Sequence, residues 1–410
     1  EAEQAQEIML ERSTSPEGLG QPARWAQRRI GFVRAEMRVG DPALAYRLAA
    51  GHQLTEGGAF ADLEFLAGYV ALRKLGDAET ALGHFRHLGA GVSSPISLSR
   101  AQYWEGRALE ALSRKAEAEA AYRAAAAHQT AFYGQLAAER AGLALDPALL
   151  EPGEPGEGWR AAPFLAAPLT EAALLLHRAQ ERALARRFLL HLAEGLDARG
   201  LRDLSDLALA MQEPNIAVLI GKQAAGRGVI LPRAYFPAPE ALTRPEATHP
   251  DVPAALTLAI ARRESEFDPG VTSPAGALGL MQVMPGTAQM MAGRLGIAHE
   301  PGRLLSDAAY NTRLGAAYLA ELRAEFGPSL ILVAAGYNAG PGRPRAWIND
   351  LGDPRRDDVD PVDWIEHVPF AETRNYIMRV AEAVVIYRAR LSGRGDRVEL
   401  TALLQGHGAE

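Results

Sequence analysis

The sequence predicts a mainly α chain, and three observations carry that expectation. Residues 1–145 read as one helical pattern after another, rich in Ala, Leu and Arg. Alternation of apolar and polar residues, the mark of a half-buried strand, never runs beyond a few positions. Gly and Pro are plentiful, at 40 and 26, yet they gather into breaks between helical stretches with no collagen period. With 410 residues, the chain has room for roughly two to four domains.

Taken in order, residues 63–88 and 101–126 read as two copies of one helix pair. Gly68 matches Gly106 in the first helix, and Ala81-x3-Phe85 matches Ala118-x3-Tyr122 in the second. A small residue opposite an aromatic one is tetratricopeptide-like: the small residue lets the helices approach and the ring fills the groove between them. Residues 145–163 carry four prolines and three glycines and break the pattern. A further helical block spans residues 170–226, and a second break, residues 231–253, carries six prolines. That density suits a linker or a chain crossing a domain surface. The expected division is a superhelical repeat region over 1–150, a second helical block over 151–240, a third domain over 241–395, and a tail over 396–410.

Composition excludes several classes of function. Hydrophobic residues make up 48%, charged residues 23%, and the formal charge is −7 with no Lys/Arg run. That argues against a dedicated nucleic-acid binder and against tight adsorption to an anionic bilayer. There is no cysteine, which removes thiol catalysis, Cys-ligated zinc and disulfides. The ten histidines are scattered; His84 and His87 form the close pair and read as surface or packing residues, with no H-E-x-x-H. Neither a metal nor a cofactor is expected. No apolar stretch approaches the ~20 residues of a membrane span. The chain opens Glu1-Ala2-Glu3-Gln4, without an initiator Met or a leader, so a processed product is expected.

The chemistry gathers after residue 250. Pro253 suits the first turn of a helix, and Leu256 and Ile260 mark one face of it. The next position on that row is Glu264. A carboxyl held against apolar neighbours has a raised pKa and stays protonated near neutrality, as a general acid must. The alternative is a helix that frays before Asp268-Pro269 and leaves Glu264 in solvent. Glu266 should project toward Arg262 and Arg263, away from that face. A turn-rich loop follows over residues 273–282, then Met284-Pro285-Gly286-Thr287-Ala288 opens a new helix. Gln282 offers the paired donor and acceptor that sugar hydroxyls and acetamido groups take. Beyond lie Asn311-x3-Gly315-x2-Tyr318-Leu319, Ala335-Gly336-Tyr337-Asn338-Ala339-Gly340-Pro341-Gly342-Arg343 and Glu366-His367-Val368-Pro369-Phe370-x-Glu372-Thr373-Arg374-x-Tyr376.

These blocks, in this order, resemble the catalytic domain of the soluble lytic transglycosylases over residues 250–392. The resemblance implies an all-α fold: a goose-type lysozyme-like domain with an arc or ring of stacked helix pairs. By position it makes Glu264 the catalytic acid/base. Ser273, Gln282 and Met284 match positions that line sugar subsites. Tyr337, beside Asn338, matches the cleft tyrosine, and Glu372 matches a cleft glutamate. Tyr376 follows one turn later, and Glu366 lies in the same block. Gly336 departs from the pattern, since relatives often carry Ala there, and is expected to loosen the backbone beside Tyr337.

The implied activity is cleavage of the β-1,4 bond between N-acetylmuramic acid and N-acetylglucosamine of peptidoglycan without water, leaving 1,6-anhydro ends. A muramidase of the same fold that hydrolyses the bond is the alternative, followed by an inactive scaffold that binds glycan or protein. The implied partners are glycan strands and, through the helical arm, other cell-wall proteins. The implied location is the periplasm. Arg-rich faces at residues 24–29 and 182–187 read as solvated helix sides, with contact to the anionic polymer as the second reading.

Overall fold

The computed structural model describes residues 2–150, 153 and 156–408. Four positions of the first Pro/Gly break, Glu151, Pro152, Glu154 and Pro155, lie outside the described residues. The described chain is all-α, with two isolated antiparallel bridges, Thr272 to Leu278 and Leu278 to Val283. No helix among the described residues is long and apolar enough to cross a membrane. Contacts divide the chain into two compact units, Glu1–Ala144 with Val362–Ala371, and Leu145–Pro361 with Glu372–Glu410.

The first unit is built of antiparallel helix pairs. Helices Gly57–Val70 and Ala78–Ala90 form one, and Pro95–Ala111 and Lys115–Ala125 form the next. The small-over-aromatic pattern has a direct steric basis. A Cβ on Gly68 would lie 2.5 Å from the Phe85 ring, and one on Gly106 would lie 2.5 Å from the Tyr122 ring. Both rings therefore occupy the space that any side chain at the glycine would need. Tyr69, Tyr103 and Trp104 extend this aromatic core, each 1% exposed or less.

Two polar clusters lie inside this unit. Glu64, 4% exposed, accepts from His52 Nε2 at 2.8 Å and His84 Nδ1 at 2.8 Å, with His87 Nδ1 at 3.1 Å. His52 Nδ1 accepts from the Leu54 amide, so its proton sits on Nε2 and points at Glu64. The pair His84 and His87 is thus held by a buried carboxylate. Among the described residues no cluster is arranged to hold a metal ion. The second cluster involves the short segment Val362–Ala371. There Glu366 accepts from Arg34 at 3.2 Å and from the Tyr133 hydroxyl at 2.6 Å.

Arg29 corrects the expectation of a solvated Arg face at residues 24–29. It is 1% exposed and donates to Leu48 O at 2.6 Å and Ser13 Oγ at 2.5 Å. Burial lowers its pKa to about 10. Arg24 and Arg28 on the same helix are exposed.

In the second unit, residues 162–234 share a core that includes Leu189, Leu201, Leu204, Ile216 and Ile220. The Pro-rich stretch 231–253 is packed chain, not a free linker. Phe236 is fully buried 6.0 Å from the Tyr387 ring, and Arg390 donates to the carbonyls of Leu149, Pro232 and Phe236 at 2.6, 3.1 and 2.6 Å. Pro237, buried beside Phe236, lacks the donor that an irregular buried backbone would leave unpaired. The tail helix Leu400–Gln405 is fastened by Ser329 Oγ, which donates to Leu404 O at 2.9 Å.

Candidate active site

Helix Ala254–Ser265 is buried along its length from Ala255 to Arg262. Its apolar composition suits it to that burial, and Pro253 stands at its N-cap. Leu256 and Ile260 are 3% and 0% exposed, and the row reaches Glu264 in the final turn. The helix does not fray. Glu266 adopts a left-handed conformation (φ 53°) and its N–H donates to Arg262 O at 3.2 Å, closing the last turn.

Glu264 is half-buried, and its Oε1 accepts from the Tyr376 hydroxyl at 2.6 Å. Burial pushes its pKa up to about 7. The Tyr376 hydrogen bond and the nearby Arg263 guanidinium pull it down, while Glu372 pushes it up. Those opposing causes leave the carboxyl able to hold or release a proton at neutral pH. Arg263 also lies 5.6 Å from the Tyr376 ring centroid, bracing the phenol against helix Ala254–Ser265. Burial raises the pKa of Tyr376 and Tyr337 well above the ordinary value, so both phenols remain protonated donors.

The sequence-adjacent carboxylates are drawn elsewhere. Glu266 pairs with Lys222, so its expected place beside Arg262 and Arg263 is corrected. Arg262 instead donates to Tyr235 O at 2.8 Å and lies 4.6 and 4.3 Å from the Tyr235 and Phe236 rings. Asp268 pairs with Arg186 at 2.7 Å, and Arg182 pairs with Glu213. The Arg-rich side at residues 182–187 is therefore partly engaged in ion pairs within the unit.

The glycine loop is held by side chains that carry no charge. Asn311, 1% exposed on helix Ala308–Phe326, accepts from the Met281 amide at 2.8 Å and donates to Leu278 O and Leu304 O at 2.8 and 3.0 Å. Gly279 has φ 73°, and a Cβ there would lie 2.2 Å from Leu304 O, so only glycine fits. Ser265 Oγ donates to Leu280 O at 2.8 Å and ties the loop to helix Ala254–Ser265. Ser273 Oγ accepts from the Ala277 amide at 3.0 Å, and Gln282 Nε2 donates to Val271 O and Gly279 O at 3.1 and 2.8 Å. Both side chains thus shape the loop itself. Met284 is 44% exposed at the N-cap of helix Pro285–Arg294.

Helix Leu330–Ala339 supplies Tyr337, whose hydroxyl donates to Met281 O at 2.7 Å and whose ring lies 5.5 Å from Tyr318. Asn338 Oδ1 accepts from Thr373 Oγ1 at 2.7 Å, joining this helix to Ala371–Ser392. That second helix presents Glu372, exposed in its first turn, and Tyr376. Gly336 has a packing cause in place of the expected loosening. It is buried mid-helix, where a Cβ would lie 3.0 Å from Leu322 Cδ2 and 3.3 Å from the Phe326 ring.

Glu264, Tyr337, Tyr376 and the Met281 carbonyl are therefore brought together, with Glu372 close enough to act on Glu264 electrostatically. Glu366 is not among them; it bonds Arg34 and Tyr133 in the first unit. Sequence reasoning gave no role to Arg263, Ser265 or Thr373. Asn311 carries the same signal as Glu264, a polar residue among buried helix positions.

Residues 242–358 match the family described as Transglycosylase SLT domain. The soluble lytic murein transglycosylase of Escherichia coli K12 is 42% identical over 141 residues, which is 34% of this chain and 21% of that protein. The chain thus spans about a fifth of that relative's length. Among solved structures, an inactive mutant of the lytic transglycosylase Slt from Pseudomonas aeruginosa superposes with a TM-score of 0.71 at 29% identity, over 91% of this chain and 59% of that one. The 70 kDa soluble lytic transglycosylase from E. coli shares the fold, with a TM-score of 0.62 at 24% identity over 90% of this chain and 63% of that one.

Proposed function

We propose that this chain, whose residues 242–358 form a transglycosylase SLT domain of the soluble lytic transglycosylase family, cleaves peptidoglycan glycan strands with Glu264 as its acid and base. The observation that carries the reading is the half-buried Glu264 carboxyl, with its pKa raised to about 7 and a single phenol donor at 2.6 Å.

In the first step protonated Glu264 gives its proton to the glycosidic oxygen between N-acetylmuramic acid and N-acetylglucosamine. The C1–O bond breaks as oxocarbenium character develops at the muramyl C1, with the 2-acetamido group able to share that charge. Tyr376 donates to the carboxylate that this transfer creates, an interaction that strengthens as charge develops. In the second step Glu264 takes the proton of the C6 hydroxyl while O6 bonds to C1, giving the 1,6-anhydro sugar. The carboxyl ends protonated, as it began, and no water is consumed.

One carboxyl in two roles needs a pKa near the working pH, and that is where burial and Tyr376 together leave Glu264. The engagement of Glu266 with Lys222 and Asp268 with Arg186 supports the one-carboxylate plan, because neither is left to activate a water. Tyr337, Asn338, Met284 and Glu372 would border the bound sugars. Ser273 and Gln282 would act through the loop they brace. Peptidoglycan as substrate implies a periplasmic site of action.

Digestion of purified sacculi, followed by mass spectrometry of the products, tests this. The wild type should release 1,6-anhydromuramyl ends, and Glu264→Gln should release none while still binding glycan. Reducing-end muramic acid would identify a muramidase instead, and turnover by Glu264→Gln would remove this residue from the chemistry.

A further inference from the structure

The turn that ends the catalytic helix is unusual in its backbone and in what holds it. Glu266 and Phe267, two successive non-glycine residues, lie in the left-handed region with φ of 53° and 65°. Side chains rarely adopt that conformation twice in a row without being held there. The holders come from the helical block upstream in sequence. Asn215, 5% exposed at the start of helix Pro214–Gly226, directs Nδ2 to Glu266 O at 3.1 Å and Ser265 O at 3.4 Å. Its Oδ1 accepts from Arg186 Nη1 at 3.2 Å, which fixes the orientation of the amide. The same Arg186 nitrogen donates to Asp268 at 2.7 Å, and Lys222 pairs with the Glu266 carboxylate. Three side chains of one block thus grip the backbone or side chains of residues 265, 266 and 268.

We propose that Asn215, seconded by Arg186 and Lys222, is a positioning residue for Glu264. The helical block around it serves catalysis by holding the turn one residue beyond the reacting carboxyl. The proposal rests on the acid/base reading of Glu264. Its physical basis is short leverage. Ser265 is adjacent to Glu264, and its hydroxyl ties the helix to the glycine loop through Leu280 O. Releasing the Ser265 and Glu266 carbonyls frees the last helical turn, so Glu264 shifts relative to Tyr376 and gains solvent. Misplacement of a catalytic group by about 1 Å costs on the order of a hundredfold in rate. Facing Glu264 are Tyr376, Arg263, Glu372 and Tyr337, none of which the substitutions below touch.

The experiment compares the full chain with Asn215→Ala, Lys222→Met and Glu264→Gln on glycan strands, from pH 4 to 9, alongside thermal melting. Asn215→Ala should lower kcat roughly tenfold to a hundredfold with KM nearly unchanged. Its alkaline limb should move to lower pH, because a more solvated carboxyl loses its proton earlier. Lys222→Met should change both in the same direction by less. Wild-type kcat and an unmoved alkaline limb in both variants would overturn the proposal, whatever happens to melting. A rate lost only in proportion to unfolding, with the limb in place, would overturn it equally. If Asn215→Ala does not fold, Lys222→Met decides alone, since Lys222 is 40% exposed and its loss leaves no buried group unpaired. Glu264→Gln at wild-type rate would sink the acid/base reading itself, whereas an inactive Glu264→Gln beside unaltered Asn215→Ala and Lys222→Met sinks only this proposal.

Discussion

Two glutamates, one in each unit, sit inside helices and meet the same first influence with opposite results. Burial alone would raise both. At Glu64 the hydrogen bonds from His52 and His84, with the charge of a protonated His84, more than offset burial, and the pKa falls to about 2. At Glu264 burial prevails over Tyr376 and Arg263, and the pKa rises to about 7. The difference lies in the partners. Glu64 has three imidazoles within 3.1 Å, while Glu264 has one phenol at 2.6 Å. A buried carboxyl becomes a general acid only where its donors are few enough to leave the protonated form competitive.

The sharpest way to break this comparison is to remove each carboxylate in turn. Glu264→Gln should abolish release of anhydro ends, and Glu64→Gln should leave the rate per folded molecule unchanged, both read by product mass spectrometry. A catalytic defect in folded Glu64→Gln would mean that the imidazole cluster serves more than structure.

The next effect concerns stability. Glu64 ionises more readily folded than unfolded, at about 2 against 4.5. Its contribution is therefore full above pH 4.5 and is lost as pH falls toward 2. That contribution amounts to about 3 kcal/mol. Glu64→Gln should melt well below the wild type at pH 7, and denaturation curves should show the gap closing between pH 4.5 and 2. A gap independent of pH would place the stabilisation in packing.

The smallest expected change sharpens the other side. Tyr376→Phe removes a donor that favours the ionised form, so the Glu264 pKa should rise further. The alkaline limb of the pH–rate profile should move up, with kcat at pH 7 falling about tenfold. A limb that moved down would mean that Tyr376 chiefly excludes solvent.

Much of this contrast was legible before the fold was known, and some of it could not be. The Leu256–Ile260 row led to Glu264, although the helix proves to be buried on all sides, so the row is less selective than its spacing suggests. Gly68 and Gly106 announced the helix pairs because a ring contact between consecutive helices leaves a local pattern. Glu64 gave no such sign. Its partners lie 12, 20 and 23 residues away on other elements, and only tertiary packing gathers them. Residue type points Gln282 toward sugar and the resemblance points Ser273 there, while the fold engages Gln282 Nε2 and Ser273 Oγ in the loop. The role of Glu366 was hidden for another reason. Its motif runs on into Glu372 and Tyr376, yet the contacts of Val362–Ala371 place that segment in the other unit.

The proposed chemistry requires the two glutamates to have widely separated pKa values, and titration of carboxyl-labelled protein by NMR measures both at once. Glu264 should titrate near 7 and Glu64 near 2, with the Glu264 signal absent from Glu264→Gln. A Glu264 that titrates near 4.5, alongside an active enzyme, would contradict it.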